Sequence, residues 1–427
     1  MSVSIVEAKL DPDFMIVSQE ALRDPWGSFA RVREHSPIFW STIQKAWMVT
    51  TYDDVIAGFM DRRLSSQRND AASTEASTEA DRYPLVFRFM PTTINNLDGL
   101  DHARIRPLIV KAFSKPVIDR MRVVTAQVVT ELLDECENMR EFDFMDIAYR
   151  LPGLVTLRIL GLPDSYWQNL TDLSSLFVHF QGMQAPSLTV IASLERKLAE
   201  FFELLSSFIA KIEATPKEQL SSDLLTALVL ARDAEKRLTH EELLAAVIIL
   251  VAGGFDSTAS TSAIFVNWIA RRPELVGAVR GPQADFDKTL TELWRYPGVT
   301  VAQTRIVAED FEWHSQNLKK GDLVYLGLMA ANTDPAIFDE PCSIRIDRKN
   351  AIQAKTFGHG AHICIGMMLA KMELGIFIRQ AFERFEIEIL QDQFEYWPLH
   401  TLVRYTAMNV RFSPRVAAGH AERAGSE

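Results

Sequence analysis

Cys364 stands in the stretch Phe357-Gly-His-Gly-Ala-His-Ile-Cys364-Ile-Gly366, a glycine-rich setting suited to exposing a sulfur. The chemistry on offer is a metal thiolate. Gly358, Gly360 and Gly366 are expected to take positive φ angles, to let a flat ligand approach and to leave N–H groups pointing at a sulfur anion. Met367, Met368, Leu369, Met372 and Ile376 follow with helical spacing, and a helix starting beside Cys364 would favour its thiolate through the positive end of the helix dipole. Taken alone, a cysteine between Ile363 and Ile365 reads more readily as a small buried hydrophobe.

A second constellation is Gly253-Gly254-Phe255-Asp256-Ser257-Thr258, an acid followed by two alcohols inside an apolar run. Two glycines in a helix interior cost about 2 kcal/mol relative to alanines, so something should compensate. Either a ligand approaches the backbone there, or another helix crosses closely while Asp256 reaches solvent or a basic partner. Ser257 or Thr258 can bond back to a carbonyl and open the turn. His102 and Arg106 would share a helix face bordering Ile105, Ile109 and Phe113, although Pro107 complicates the spacing. On residue types alone they are a satisfied histidine and a snorkelling arginine. Glu292 and Arg295 fall away from the apolar stripe of Phe286, Leu290 and Leu293, which makes them an exposed ion pair of little energetic value.

These residues need elements to hold them. Thr239-His-Glu-Glu242 has the capping-box form and Arg271-Arg-Pro273 supplies a stop, predicting one helix of about 32 residues and roughly 48 Å. Its residues from Leu243 to Val251 are apolar on every face, so it should be buried all round. Strands are expected in two places. One is a hairpin over Ile38–Thr51 turning at Gln44 and Lys45; the other is Val299–Leu328, where Phe311 onward reads as a hairpin turning at Gly321-Asp322. Gln67 to Asp81 reads as a mobile polar loop, and Tyr83, Leu85, Val86, Phe87, Phe89 and Met90 after it either form a lid or pack in the core.

With 427 residues, 48% of them hydrophobic, the chain can bury a large core, and residues 1–427 are read as a single domain with loosely ordered ends at 1–15 and 417–427. The net charge of −11 argues against nucleic acid. Cys136, Cys342 and Cys364 have no CxxC spacing, which argues against a disulfide framework or a zinc site. The amino terminus has no basic flank before a long apolar run, so neither a secretion signal nor a membrane anchor is expected, and a cytoplasmic monomer is the reading.

The ten-residue string around Cys364 resembles the haem-binding loop of the cytochrome P450 family in its soluble bacterial form. That resemblance implies heme b (iron protoporphyrin IX) with Cys364 as axial thiolate, Phe357 packed beside the sulfur, and His362, His102, Arg106 and Arg305 around the propionates. The Gly253–Thr258 string resembles the family's oxygen-activation segment, with Asp256 as the acid and Ser257 where threonine is usual; Thr258 is a second candidate. Glu292-Leu-Trp-Arg295 resembles the family's buried Glu-x-x-Arg lock, with Arg345 or Arg348 as third partner.

The implied fold is mainly α, with a long central helix, a small β region, and haem between the Asp256 and Cys364 helices. The implied activity is monooxygenation of a small apolar organic substrate. Val251, Gly253, Val299, Ala302, Phe87 and Phe89 are the candidate contacts, and Phe177, Phe180, Met183 and Leu399 are weaker ones. No nicotinamide or flavin fingerprint is present, so electrons would come from a ferredoxin-type donor and its reductase. Arg104, Lys111, Lys115 and Lys355 are either a basic docking patch or a solvated face. A haem-thiolate peroxygenase or isomerase and a non-enzymatic haem-binding sensor are the alternatives.

Overall fold

The computed structural model describes residues 22–415, apart from 43, 68–78, 114, 183–185, 236–237, 398 and 400. Most of the Gln67–Asp81 loop, both ends of the chain and Met183 therefore lie outside the described residues.

The architecture is mainly α. The long helix runs from His240 to Ala270, and its capping box is complete: the Thr239 hydroxyl accepts from the Glu242 N–H, and the Glu242 carboxylate accepts from the Thr239 N–H. Helices Phe144–Leu160, Trp167–Gly182 and Met367–Arg384 pack around it. By length and hydropathy this helix could cross a membrane, but most of its apolar window is buried inside the protein, as a core helix requires. The main core flanks it on both sides, and a smaller core lies behind the sheet around Ile38, Val49, Val55, Leu326 and Phe338.

Ile38–Ser41 (β1) and Ala46–Val49 (β2) form the expected hairpin, with Ile38 opposite Val49 and Lys45 in the left-handed region at φ 45°. They join a five-stranded sheet in the order β1, β2, β8 (Leu323–Gly327), β5 (Ala302–Val307), β3 (Leu64–Ser65), in which only β2 and β8 are parallel. The second expected hairpin turns earlier than predicted. Phe311–Trp313 (β6) pairs with Gln316–Leu318 (β7) through His314 and Ser315, at φ 47° and 60°, the left-handed pair that a two-residue turn demands. Gly321, at φ 91°, instead redirects the chain into β8.

A third sheet, in the order β4 (Glu141–Asp143), β10 (Asn409–Pro414), β9 (Phe385–Ile389), adds strands outside the two expected places. β4 is too short to show alternation, and β9 follows a helix with no breaker between them.

Tyr83, Val86, Phe89 and Met90 are buried, so this cluster is core rather than an open lid. Phe89 packs edge-on against Phe202, ring centroids 4.4 Å apart.

Candidate active site

A cavity of about 390 Å³ separates the long helix from the start of the Met367–Arg384 helix, and Cys364 forms part of its wall. The loop closes when the Cys364 N–H donates to the Phe357 carbonyl at 3.0 Å. Gly358 and Gly360 take the expected positive φ, at 76° and 69°. Gly366 does not; at φ −79° it is the residue before the helix, and its N–H and that of Met367 are directed at the sulfur. The Cys364 side chain is accessible from the cavity, yet burial dominates its electrostatics and raises the thiol pKa. The two N–H groups and Arg106 pull the other way.

On the long helix, Gly253 and Gly254 open onto this space, since an added Cβ at either would meet no atom within 4 Å. The close helix crossing lies instead at Gly153, where an added Cβ would come within 2.8 Å of the Phe255 ring. The glycines thus serve the cavity. Ser257 lines it and donates to the Gly253 carbonyl at 3.0 Å, and Thr261 donates to the Ser257 carbonyl at 2.6 Å. Asp256, about 100° around the helix from Ser257, faces away from the cavity. It accepts from Tyr149 Oη, Ser174 Oγ and Arg404 Nη1, each at 3.1 Å, and is 1% exposed. The expected acid and alcohol therefore occupy different faces of the helix.

A cationic edge borders the same space. Helix Gly99–Ala112 continues through Pro107, keeping His102 and Arg106 one turn apart. His102 is buried and its Nε2 has no partner. Its ring lies 4.2 Å from that of His362, whose Nε2 meets Asp98 Oδ1 at 3.0 Å. Asp98 also accepts from Ser65 Oγ at 2.6 Å and the Ser66 N–H at 2.7 Å. Burial works to raise the Asp98 pKa, but these bonds outweigh it and leave the carboxyl depressed. Burial, with His362 and Arg106 nearby, lowers His102 to about 4. Arg106 donates to the Ile363 carbonyl, tying this helix to the thiolate loop. Arg305 on β5 is buried, its pKa lowered to about 10 by that burial, and its Nη1 donates to the neighbouring Thr304 carbonyl at 2.8 Å.

An orphaned imidazole nitrogen, two arginines lining the cavity and one accessible sulfur fit the acidic edge and metal centre of haem. Among the described residues no cluster of three His, Cys, Asp or Glu is built to hold a metal ion, so Cys364 fits as one ligand to a metal carried by a cofactor.

Glu292 and Arg295 are an internal lock, not an exposed pair, at 0% and 1% exposure. Arg295 Nη2 meets Glu292 Oε1 at 2.6 Å and also donates to the Ser343 carbonyl; Nη1 reaches the carbonyls of Asn332 and Pro341. The third partner is Arg348, Nε to Glu292 Oε1 at 2.9 Å, whereas the Arg345 side chain turns outward to Asp339 and Asp347. Phe357 lines the cavity and packs on Trp294, centroids 4.7 Å apart.

Of the expected substrate contacts, Gly253, Val299 and Ala302 line the cavity, as does Phe177. Val251, Phe87 and Phe89 do not. Val251 lies two residues before Gly253, on another face, and points into the core, while Phe87 and Phe89 belong to the core beside helix Leu188–Glu213. Phe180 and Leu399 are also outside the lining. In the supposed basic patch, Arg104 is paired with Glu242 at 2.5 Å and Lys115 with Asp119 at 2.6 Å, which favours the solvated-face reading.

Three residues escaped the sequence reading. Arg404 is the cation that pairs with Asp256. Asn95 lines the cavity from the turn before helix Gly99–Ala112. Glu373 lines it too, 3% exposed, with Oε1 unpartnered and burial pushing its pKa up to about 8. For Glu373 a signal existed: a lone acid between Met372 and Leu374 on an apolar helix face.

The sequence matches the family model for cytochrome P450 over residues 67–281 and 286–404. It is 28% identical to cytochrome P450 107B1 of Saccharopolyspora erythraea, covering 88% of this chain and 91% of the relative. It is likewise 28% identical to the epothilone C/D epoxidase of Sorangium cellulosum, covering 89% and 90%. Among solved structures, epothilone B-bound cytochrome P450epoK superposes with a TM-score of 0.83 at 26% identity, covering 93% of this chain and 99% of that one. The loop around Cys364, the cation-bordered cavity and these likenesses agree: the chain belongs to the cytochrome P450 family, as a heme b-dependent monooxygenase.

Proposed function

We propose that this protein, acting as a cytoplasmic, single-domain monomer, inserts one oxygen atom from O2 into a small apolar organic substrate. Electrons come from a ferredoxin-type donor and its reductase. The observation that supports this most is the Cys364 sulfur opening onto a cavity whose far wall is Gly253, Gly254 and Ser257. When bound, haem supplies a thiolate-ligated iron whose electron-rich character favours O–O cleavage.

The residues divide the remaining work. Arg106, Arg305, His102 and His362 would hold the propionates, with Asp98 orienting His362. Phe357 shields the sulfur. The Ser257 hydroxyl, held by the Gly253 carbonyl, presents a movable proton at the cavity wall. Asp256 resupplies it only on leaving at least one of its three partners. Gly253, Val299 and Ala302 contact a substrate of carbon-rich character, in keeping with relatives that include an epothilone C/D epoxidase and a polyketide biosynthesis cytochrome P450.

The test is spectroscopic and isotopic. Reduced wild-type protein with carbon monoxide should show the far-red-shifted band of thiolate ligation, and Cys364→Ser should lose it. Label from isotopic O2 should enter the product only when donor proteins are present. Turnover that needs peroxide and no donor would establish the peroxygenase alternative, and ligand-dependent spectra without any product the sensor. Ser257→Ala should keep the thiolate band and divert electrons to hydrogen peroxide; an unchanged product yield per electron would remove Ser257 from the proton path.

A further inference from the structure

The turn Ile94–Asn96 contains two adjacent asparagines with opposite surroundings. Asn96 is fully engaged, its amide donating to the Met90 carbonyl and to Thr93 Oγ1, both at 3.1 Å, while Thr93 Oγ1 itself donates to the Met90 carbonyl at 2.6 Å. Upstream, the Glu195 carboxylate accepts from the N–H groups of Leu85 and Val86 at 3.0 and 2.9 Å, fastening this segment to helix Leu188–Glu213. Ile94 packs with Ala246, Ile249 and Leu250 on the long helix. The turn is therefore rigidly held, and it presents Asn95 to the cavity. Asn95 Oδ1 is enclosed by the protein without a hydrogen-bond partner.

A buried acceptor left unpaired is costly, so a preorganised one at a cavity wall calls for a donor from the ligand. The propionates of haem cannot be that donor, because carboxylates only accept. The turn that carries Asn95 packs on the long helix, where Ile94, Ile249 and Leu250 give the cavity an apolar wall. We infer that Asn95 is a specificity-determining residue that accepts a hydrogen bond from a hydroxyl group on an otherwise apolar substrate. Leu250 and Ser257 are seven residues, roughly 10 Å, apart on the long helix, so a hydroxyl held near the Leu250 end would lie about that far from the Ser257 end of the cavity. The inference rests on this cavity being the substrate pocket of a haem-thiolate enzyme.

The experiment uses the purified holoenzyme and follows the spin-state change of its haem spectrum during titration with matched alcohol and hydrocarbon pairs: 1-decanol with decane, borneol with bornane, and a sterol with its deoxy analogue. In at least one pair the alcohol should bind about tenfold more tightly in wild type, the factor that one well-made buried hydrogen bond supplies. Asn95→Leu should abolish that preference while leaving the reduced carbon monoxide band intact, and Asn95→Ser should retain part of it. No preference in any pair, or a preference that survives Asn95→Leu, overturns the inference. So does loss of haem from both Asn95→Leu and Asn95→Ser, which would make Asn95 a residue that holds the cofactor rather than one that selects the substrate. If wild type itself lacks the thiolate band, it is the haem-thiolate reading that has failed, and this inference with it.

Discussion

Asp256 and Glu373 are both carboxylic acids in the interior beside one cavity, at 1% and 3% exposure, yet their surroundings are opposite. Asp256 is held by Tyr149, Ser174 and Arg404. Glu373 has an unpartnered oxygen, and burial alone pushes its pKa up to about 8, so near neutrality it mostly keeps its proton. Burial alone thus does not decide what an acid does; its partners do. Asp256 is an anchor that knits together the Tyr149 helix, the Ser174 helix, the long helix and the Arg404 segment. Glu373 is an acid on the cavity wall that burial keeps protonated near neutrality.

The comparison breaks first at Arg404. Arg404→Met leaves Asp256 buried beside no cation and should cost about 3–5 kcal/mol in a denaturant titration, most of which the double variant Asp256→Leu, Arg404→Met should recover. A cost under about 1 kcal/mol would show that the pair does not hold the elements together.

Glu373 gives the next effect, and its sign is opposite to that of a paired acid. Its folded pKa lies above the ordinary 4.5, so between pH 4.5 and about 8 the unfolded chain gives up its proton before the folded one does. Its contribution is most favourable below pH 4.5 and is lost as pH rises to about 8. Glu373→Gln should therefore be more stable than wild type by roughly 2–4 kcal/mol at pH 8, with little difference at pH 4.5, as thermal melts at the two values would show. The smallest effect is Tyr149→Phe, which removes one of three bonds to Asp256 and should cost about 1 kcal/mol at either pH.

What the sequence revealed depended on how local each signal is. The Cys364 loop and the capped long helix are written in contiguous residues, and both were legible to within a residue or two of their ends. The burial of Glu292 and Arg295 was legible only through the family resemblance; periodicity put them at the surface, because the carbonyls that cover Arg295 come from Asn332, Pro341 and Ser343. Nothing in the spacing distinguishes Arg348 from Arg345. The direction in which Asp256 points is set by Arg404, 148 positions onward, and no periodicity carries that information. The misplaced turn at Gly321 has a different origin: glycine is the usual marker of a left-handed turn, and here His314 and Ser315 adopt that conformation without it.

The bond from Arg106 to the Ile363 carbonyl joins two stretches separated by 257 residues of chain. At ribosomal speeds of about 5–20 residues per second, the second stretch emerges roughly 13–50 s after the first. For that interval the nascent protein carries His102 and Arg106 with no sulfur to face them. A site that needs both stretches is therefore complete only late in the synthesis of the chain.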